Sequence, residues 1–258
     1  MQEFFIDSDG TPIHAKLEMP EGVQDSCPLC IVQHGLTGHM EERHILAVAA
    51  ALREVGVATL RVEMYGHGKS GGSFERHTLL KWTDNMLDVI DYAKQLDWAS
   101  DLYLCGHSQG GLLTMLVAAL RPDDLKAIIP MSPAIVIITA ARAGSIFGVP
   151  FDPVHIPDRI YREEPGLAAD GRPAPYFCGD YFRIAQHLHV DEAIAAYHGP
   201  VLLVHGTADQ GVPAQDSIDA AQAYEHAQLA LIEGDDHCYN SHLDQACTAV
   251  QDFVRTLS

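Results

Sequence analysis

Apolar runs and amphipathic stretches alternate along most of the chain. Phe4-Phe5-Ile6 and Ile13-His14-Ala15-Lys16-Leu17-Glu18 flank the turn sequence Asp9-Gly10-Thr11-Pro12. This predicts an antiparallel hairpin, with an alternation in its second strand that suits one wet face. Leu29-Cys30-Ile31-Val32-Gln33 is continuously apolar, the pattern of a strand buried on both faces. Glu41 to Val55 has helical periodicity and stops at Gly56. The same pair of patterns returns in Val57 to Val62 with Thr78 to Leu96, and again in Leu102 to Cys105 with Leu112 to Leu120. Ala127 to Ser132 and Val201 to Val204 read as further strands, Ala214 to Glu225 as a helix, Ala227 to Ile232 as the last strand and Ser241 to Leu257 as the closing helix. Such a βαβα rhythm implies an α/β fold, with a mostly parallel central sheet flanked by helices and right-handed crossovers.

One segment breaks the rhythm. Pro133 to Tyr197 contains Phe147-Gly148-Val149-Pro150-Phe151-Asp152-Pro153 and a second proline- and glycine-rich patch, Pro165 to Gly179. Uninterrupted loops of that length are uncommon unless functional. The expected organisation is a core from 1–132 and 198–258, with 133–197 inserted as a cap (lid) subdomain over the catalytic edge. Its aromatics, among them Phe147, Phe151, Tyr181 and Phe182, either line an acyl pocket or form the cap's own small core.

Composition narrows the class without naming a substrate. Of 258 residues, 47 % are hydrophobic and 20 % charged, as in an ordinary globular protein. The formal charge of −19, with no basic cluster, argues against nucleic acid and anionic membrane as partners. No apolar run approaches the roughly 20 residues of a membrane span. No signal peptide is visible in Met1 to Asp7, so the expected location is cytoplasmic. The six cysteines then read as buried free thiols, and Cys27-Pro28-Leu29-Cys30 leads into a strand, not the helix N-terminus that a redox pair uses.

The candidate chemistry centres on Gly106-His107-Ser108-Gln109-Gly110-Gly111, a G-x-S-x-G run between a strand and a helix. That context is what a nucleophile elbow requires, a turn so tight that the serine is exposed and strained. A serine hydroxyl needs a base, and the base needs an orienting acid. Asp209 follows the strand Val201 to Val204, and His237 follows the last strand; one αβ unit separates them, which returns both to the same sheet edge. Asp235 and Asp236 compete with Asp209 as the acid but adjoin the histidine in sequence. The expected oxyanion donors are the backbone N–H groups of Gln109 and Leu36, the latter in the His34-Gly35-Leu36 loop, where His34 would hydrogen-bond the loop into shape. The Gly66-His67-Gly68-Lys69-Ser70 run lacks the spacing of a phosphate-binding loop and reads as a turn packed beside the site. No cofactor is required, and neither His39 with His44 nor His187 with His189 supports a metal.

Together, His34-Gly35-Leu36-Thr37-Gly38, the elbow, His205-Gly206-Thr207-Ala208-Asp209 and Gly234-Asp235-Asp236-His237-Cys238 resemble a serine α/β-hydrolase. His155-Ile156-Pro157-Asp158-Arg159 and Tyr181-Phe182-Arg183-Ile184-Ala185-Gln186 are similar to the lid of the bacterial cinnamoyl (feruloyl) esterases. The resemblance implies an α/β-hydrolase fold and hydrolysis of hydroxycinnamate esters such as feruloyl, caffeoyl or chlorogenate-type, with Tyr181 facing the substrate beside Phe147 and Phe151. The partner is then a small-molecule ester, and a homodimer stays open. Two rival readings are a lipase or monoacylglycerol-type esterase for short and medium acyl chains, and a non-catalytic binding protein on the same fold.

Overall fold

A computed structural model describes residues 1–22, 26–146 and 148–257, with the backbone alone at 162–165. The chain opens on the expected hairpin, β1 (Gln2–Ser8) and β2 (Thr11–Glu18). It continues through β3 (Cys27–Gln33), α1 (Arg43–Glu54), β4 (Ala58–Val62), α2 (Leu79–Ala93), β5 (Ala99–His107), α3 (Gln109–Leu120) and β6 (Ala127–Met131). Thr78 caps α2 by accepting a hydrogen bond from Lys81 N–H, which sets where that helix begins.

Between β6 and the next core strand lie α4 (Val136–Ala143), the short pair β7 (Ser145–Ile146) and β8 (Val149–Pro150), the hairpin β9 (Arg159–Leu167) and β10 (Pro173–Cys178), α5 (Gly179–Gln186) and α6 (Val190–Ala196). The segment read as loop-rich thus carries its own elements. Their runs are short, and no single period survives long enough to show in sequence. The core resumes with β11 (Val201–Gly206), α7 (Ala214–Ala223), β12 (Ala227–Ile232) and α8 (Leu243–Arg255).

Eight strands form one sheet in the order β1-β2-β4-β3-β5-β6-β11-β12. β1, β2 and β4 pair antiparallel; every neighbour pair from β4 to β12 is parallel. Strand alternation sorts the side chains into two layers. Leu29, Ile31, Leu102 and Leu104 pack with Trp82, Met86, Val89 and Leu113 on one face. Cys30, Val32, Tyr103 and Cys105 pack with Ile45, Val48, Val250 and Phe253 on the other. A third cluster joins Phe74, Leu79, Leu112 and Val212 to Ile137, Ile138, Phe177, Tyr181 and Phe182, packing the elements between β6 and β11 against the loops and helices around them.

The polar face expected of β2 is exposed at Pro12 and partly exposed at Lys16 and Glu18, but not at His14. β2 lies between β1 and β4, and its His14 is 2 % exposed, bonded to Glu63 Oε2 at 2.7 Å and Glu3 Oε1 at 2.8 Å. Carboxylate partners on both ring nitrogens make that burial tolerable. All six cysteines are free. Among the described residues no helix is long and apolar enough to cross a membrane.

Candidate active site

The chain runs outward from β3 to β4, then crosses back to β5 on the opposite side of β3. Strand order reverses there, and the crevice beyond the carboxyl ends of such strands is where ligands bind in open α/β sheets. The loops after β3 and β5 open onto it.

Ser108 is the single residue between β5 and α3, with φ +58° and ψ −120°, a left-handed backbone that costs a non-glycine residue about 1–3 kcal/mol. Its neighbours hold it there. Ser108 N–H donates to Met131 O at 2.9 Å, and its carbonyl accepts from Leu112 and Ala134 N–H, each at 3.0 Å. The crossing of β5 and α3 is so close that a Cβ on Gly106 would collide with the Gly110 carbonyl, which explains the first glycine of the motif. α3 begins three residues earlier than periodicity predicts, because glycines at its first turn carry no apolar signal. The half-buried Ser108 hydroxyl therefore sits at the positive end of a 12-residue helix. Among the described residues it has no hydrogen-bond partner; such contacts are commonly long before substrate binds.

Gly35 abuts it directly. A Cβ there would lie 2.8 Å from Ser108 Cβ and 3.4 Å from Oγ. His34 is fully buried and donates from Nδ1 to Gly35 O at 2.7 Å, while its Nε2 accepts from Met64 N–H at 3.1 Å. Burial pushes its pKa down to about 4, so it stays neutral in this role. Gly38 N–H also donates to Gly35 O at 3.1 Å. With that carbonyl fixed, the trans peptide turns the Leu36 N–H the opposite way. Among the described residues neither Leu36 N–H nor Gln109 N–H has an acceptor.

Asp209 and His237 meet as the sequence spacing predicts. His237 Nδ1 lies 2.6 Å from Asp209 Oδ2, the aspartate side chain wholly buried and the imidazole 28 % exposed. Asp209 Oδ1 accepts from Gly211 N–H at 2.8 Å and Val212 N–H at 2.9 Å, and His205 Nε2 lies 3.3 Å from Oδ2. Burial alone raises this carboxyl, but the His205 and His237 contacts and the Val212 N–H more than offset it and hold the group well below the ordinary aspartate range. A carboxylate accepting at Oδ2 selects the neutral tautomer with the proton on His237 Nδ1, in which Nε2 is the acceptor nitrogen.

Asp235 and Asp236 do other work. The Asp235 carboxylate accepts from Ser241 and His242 N–H, both at 2.9 Å, ahead of α8, and Asp236 bonds Asn240 and Cys238 N–H. Sequence reading missed a further support, His107. Its ring faces that of His237 at 4.7 Å, its Nε2 donates to the His237 carbonyl at 2.8 Å, and its Nδ1 lies 3.1 Å from His44 Nε2. The available signal was its place inside the elbow motif.

The aromatics of the segment after β6 pack closely among themselves and against the elbow. Tyr181 is fully buried, and its hydroxyl donates to Gln109 Oε1 at 2.7 Å, so it reaches the residue after Ser108 with its hydroxyl already engaged. Phe151 is partly buried and packs on Phe182 at 4.6 Å. Phe147 lies outside the described residues. Among the described residues no group of three or more His, Cys, Asp and Glu side chains could hold a metal.

This sheet order, with a strained serine at its switch point, is the architecture of the serine α/β-hydrolases. The serine aminopeptidase S33 family matches residues 24–151. The chain is 48 % identical to Est1E from Butyrivibrio proteoclasticus, in a structure with ferulic acid bound, covering 98 % of each chain with a TM-score of 0.92. It belongs to the serine α/β-hydrolase family, and its likeness to Est1E runs through nearly the whole chain. More distant likenesses are the mitochondrial palmitoyl-protein thioesterase ABHD10 of Homo sapiens, 26 % identical over 72 % of this chain, and the monoglyceride lipase of Mus musculus, 28 % identical over 50 % of it. The chain spans 58 % of the length of the former and 42 % of the latter.

Proposed function

We propose that the protein hydrolyses hydroxycinnamoyl esters through Ser108, His237 and Asp209. The observation that carries the reading is the pairing of His237 Nδ1 with Asp209 Oδ2 at 2.6 Å in a chain that also holds a strained elbow serine, Ser108, and is 48 % identical to a protein solved with ferulic acid bound.

In this scheme the ester carbonyl carbon approaches Ser108 Oγ while His237 Nε2 removes the hydroxyl proton. Negative charge develops on the carbonyl oxygen, and the Leu36 and Gln109 N–H groups receive it; a donor of this kind is worth about 2.7–4 kcal/mol. Asp209 holds His237 in the correct tautomer and stabilises its cation. His237 then protonates the departing alcohol, the acyl group stays on Ser108, and a water activated by the same imidazole releases the acid. Residues 133–197 act as the lid that receives the acyl group, with the partly buried Phe151 among its apolar surfaces.

A second reading keeps the triad and replaces the aromatic acyl group with an alkyl chain. The likeness to monoglyceride lipase favours it, as does the apolar run Val136-Ile137-Ile138 in α4. Turnover of methyl ferulate against medium-chain fatty acid esters decides between them: the aromatic ester is expected to give the higher kcat/KM. Ser108→Ala is expected to abolish both activities, and retained turnover would remove the scheme altogether.

A further inference from the structure

The loop after β4 contains the Gly66-His67-Gly68-Lys69-Ser70 run, which the chemistry above leaves without a role. The tip of the β9–β10 hairpin clasps it. Gly68 N–H donates to Asp170 Oδ2, and Asp170 Oδ1 is itself fixed by Arg172 N–H at 2.9 Å. The Arg172 guanidinium then spans three carbonyls of the same loop: Nη1 lies 3.2 Å from Gly68 O and 3.3 Å from Ser70 O, and Nη2 lies 2.9 Å from Gly72 O. A rigid fork of donors on converging carbonyls is a contact that lysine cannot reproduce.

The same tip reaches the loop that bears Leu36. Ala169 N–H donates to the Thr37 carbonyl. Thr37 has φ +63°, a region that costs an L-residue about 1–2 kcal/mol and is least suited to a β-branched side chain. Its N–H donates to His67 Nε2 at 3.2 Å, and its hydroxyl donates to Leu36 O at 2.6 Å. His67 can accept at Nε2 because its Nδ1–H is spent on Tyr65 O at 3.0 Å. Strained Thr37 is therefore gripped from one side by the β4–α2 loop and from the other by the hairpin, and the hairpin is bolted to that loop. Losing the hairpin removes one of the two external holds on a residue directly bonded to Leu36.

We propose that Asp170 and Arg172 are positioning residues for the Leu36 amide, acting through Thr37, so that the docked hairpin holds the oxyanion loop in its productive shape. This rests on the reading of Leu36 N–H as an oxyanion donor. Every ester shares that donor, so the effect falls on kcat for all substrates and not on the fit of one acyl group.

The test compares wild type, Arg172→Met and Asp170→Asn on methyl ferulate and 4-nitrophenyl acetate, with binding of phenylboronic acid, whose tetrahedral adduct on Ser108 uses the same donors. Arg172→Met is expected to lower kcat on both esters by about tenfold, a fraction of the roughly 10²–10³ lost with a whole donor, with KM within about twofold. Boronate affinity is expected to fall by the same factor, and Asp170→Asn to give a smaller loss of the same pattern at an unchanged thermal midpoint. A rise in KM for methyl ferulate with 4-nitrophenyl acetate unaffected would overturn the proposal by confining the hairpin to acyl binding. Unfolding of both variants would overturn it in favour of plain stability. Wild-type protein inert to both esters and to the boronate would remove the esterase reading first and this proposal with it, before any variant is made.

Discussion

His107 donates its Nε2–H to the backbone carbonyl of His237 at 2.8 Å, so the residue before the elbow serine anchors the loop that carries the imidazole. That bond fixes the tautomer of His107, whose Nδ1 must accept from His44 Nε2 at 3.1 Å. Both rings are buried; burial pushes His44 down to about 4 and holds His107 well below the usual imidazole range, so burial favours the neutral form of both. His107→Phe keeps an aromatic face against His237 and deletes the donor. Expected is a loss of about 1–3 kcal/mol, the cost of leaving buried partners unmade, with kcat falling about tenfold or more and KM little changed. Steady-state kinetics with a thermal melt checks it; unaltered kcat would show that the His237 loop needs no anchor.

Gly35→Ala tests the approach of the Leu36 loop to Ser108. The new methyl would sit 2.8 Å from Ser108 Cβ, closer than Cβ atoms come in proteins, so one of the two loops must give way. The expected outcome is a folded protein with kcat/KM reduced by about 10² or more, in line with displacement of an oxyanion donor. Circular dichroism and kinetics on the same preparation read it. Near wild-type turnover would mean that the loop is not part of the machinery.

Much of this site was legible because its parts follow strands. Asp209 and His237 are one αβ unit apart, and a parallel sheet returns every such loop to one edge, so their pairing needed only the strand pattern. The glycines around Ser108 announced a close crossing in the same way. The supports were illegible for a physical reason: His44, His107 and the Arg172 fork contact residues 63 to 130 positions away, and polar residues that bond backbone carbonyls leave no periodic trace. In β2 one position departed from the alternation for the same reason. His14 looked like a solvent-facing position until the Glu63 and Glu3 carboxylates were found against it.

Tyr181→Phe separates two roles for one hydroxyl. In the structure it donates to Gln109 Oε1 at 2.7 Å, and among the described residues Gln109 Nε2 has no partner of its own. Removing the hydroxyl leaves that buried amide without its remaining bond, an expected cost of about 1–3 kcal/mol in stability. Discrimination between feruloyl and cinnamoyl esters, which differ in ring substituents, is expected to stay within about twofold, because a hydroxyl bound to Gln109 does not read them. A collapse of that ratio, measured as relative kcat/KM, would return Tyr181 to the substrate-reading role that the family resemblance implies.

Acid should destabilise the fold before it protonates the carboxylates. Burial pushes His34, His44 and His77 each down to about 4, whereas an unfolded chain titrates histidine near 6.5. Between those values the unfolded state binds more protons, so stability falls as pH drops from about 6.5 towards 4, by roughly 3 kcal/mol per histidine over the interval. Half-buried Glu42, whose carboxyl that burial raises, acts in the opposite sense. Asp209, held low, withdraws its share only below the ordinary aspartate range. His77 isolates the effect: it packs against Phe74 at 4.6 Å and Tyr181 at 5.1 Å, bonds only the Phe74 carbonyl, and has an unpartnered Nε2 among the described residues. His77→Phe is expected to fit that aromatic nest and to flatten the dependence of unfolding free energy on pH by up to one proton. Denaturant melts at intervals from pH 4 to 7 measure the slope, and a slope identical to that of the wild type would mean that His77 is not held neutral by the fold.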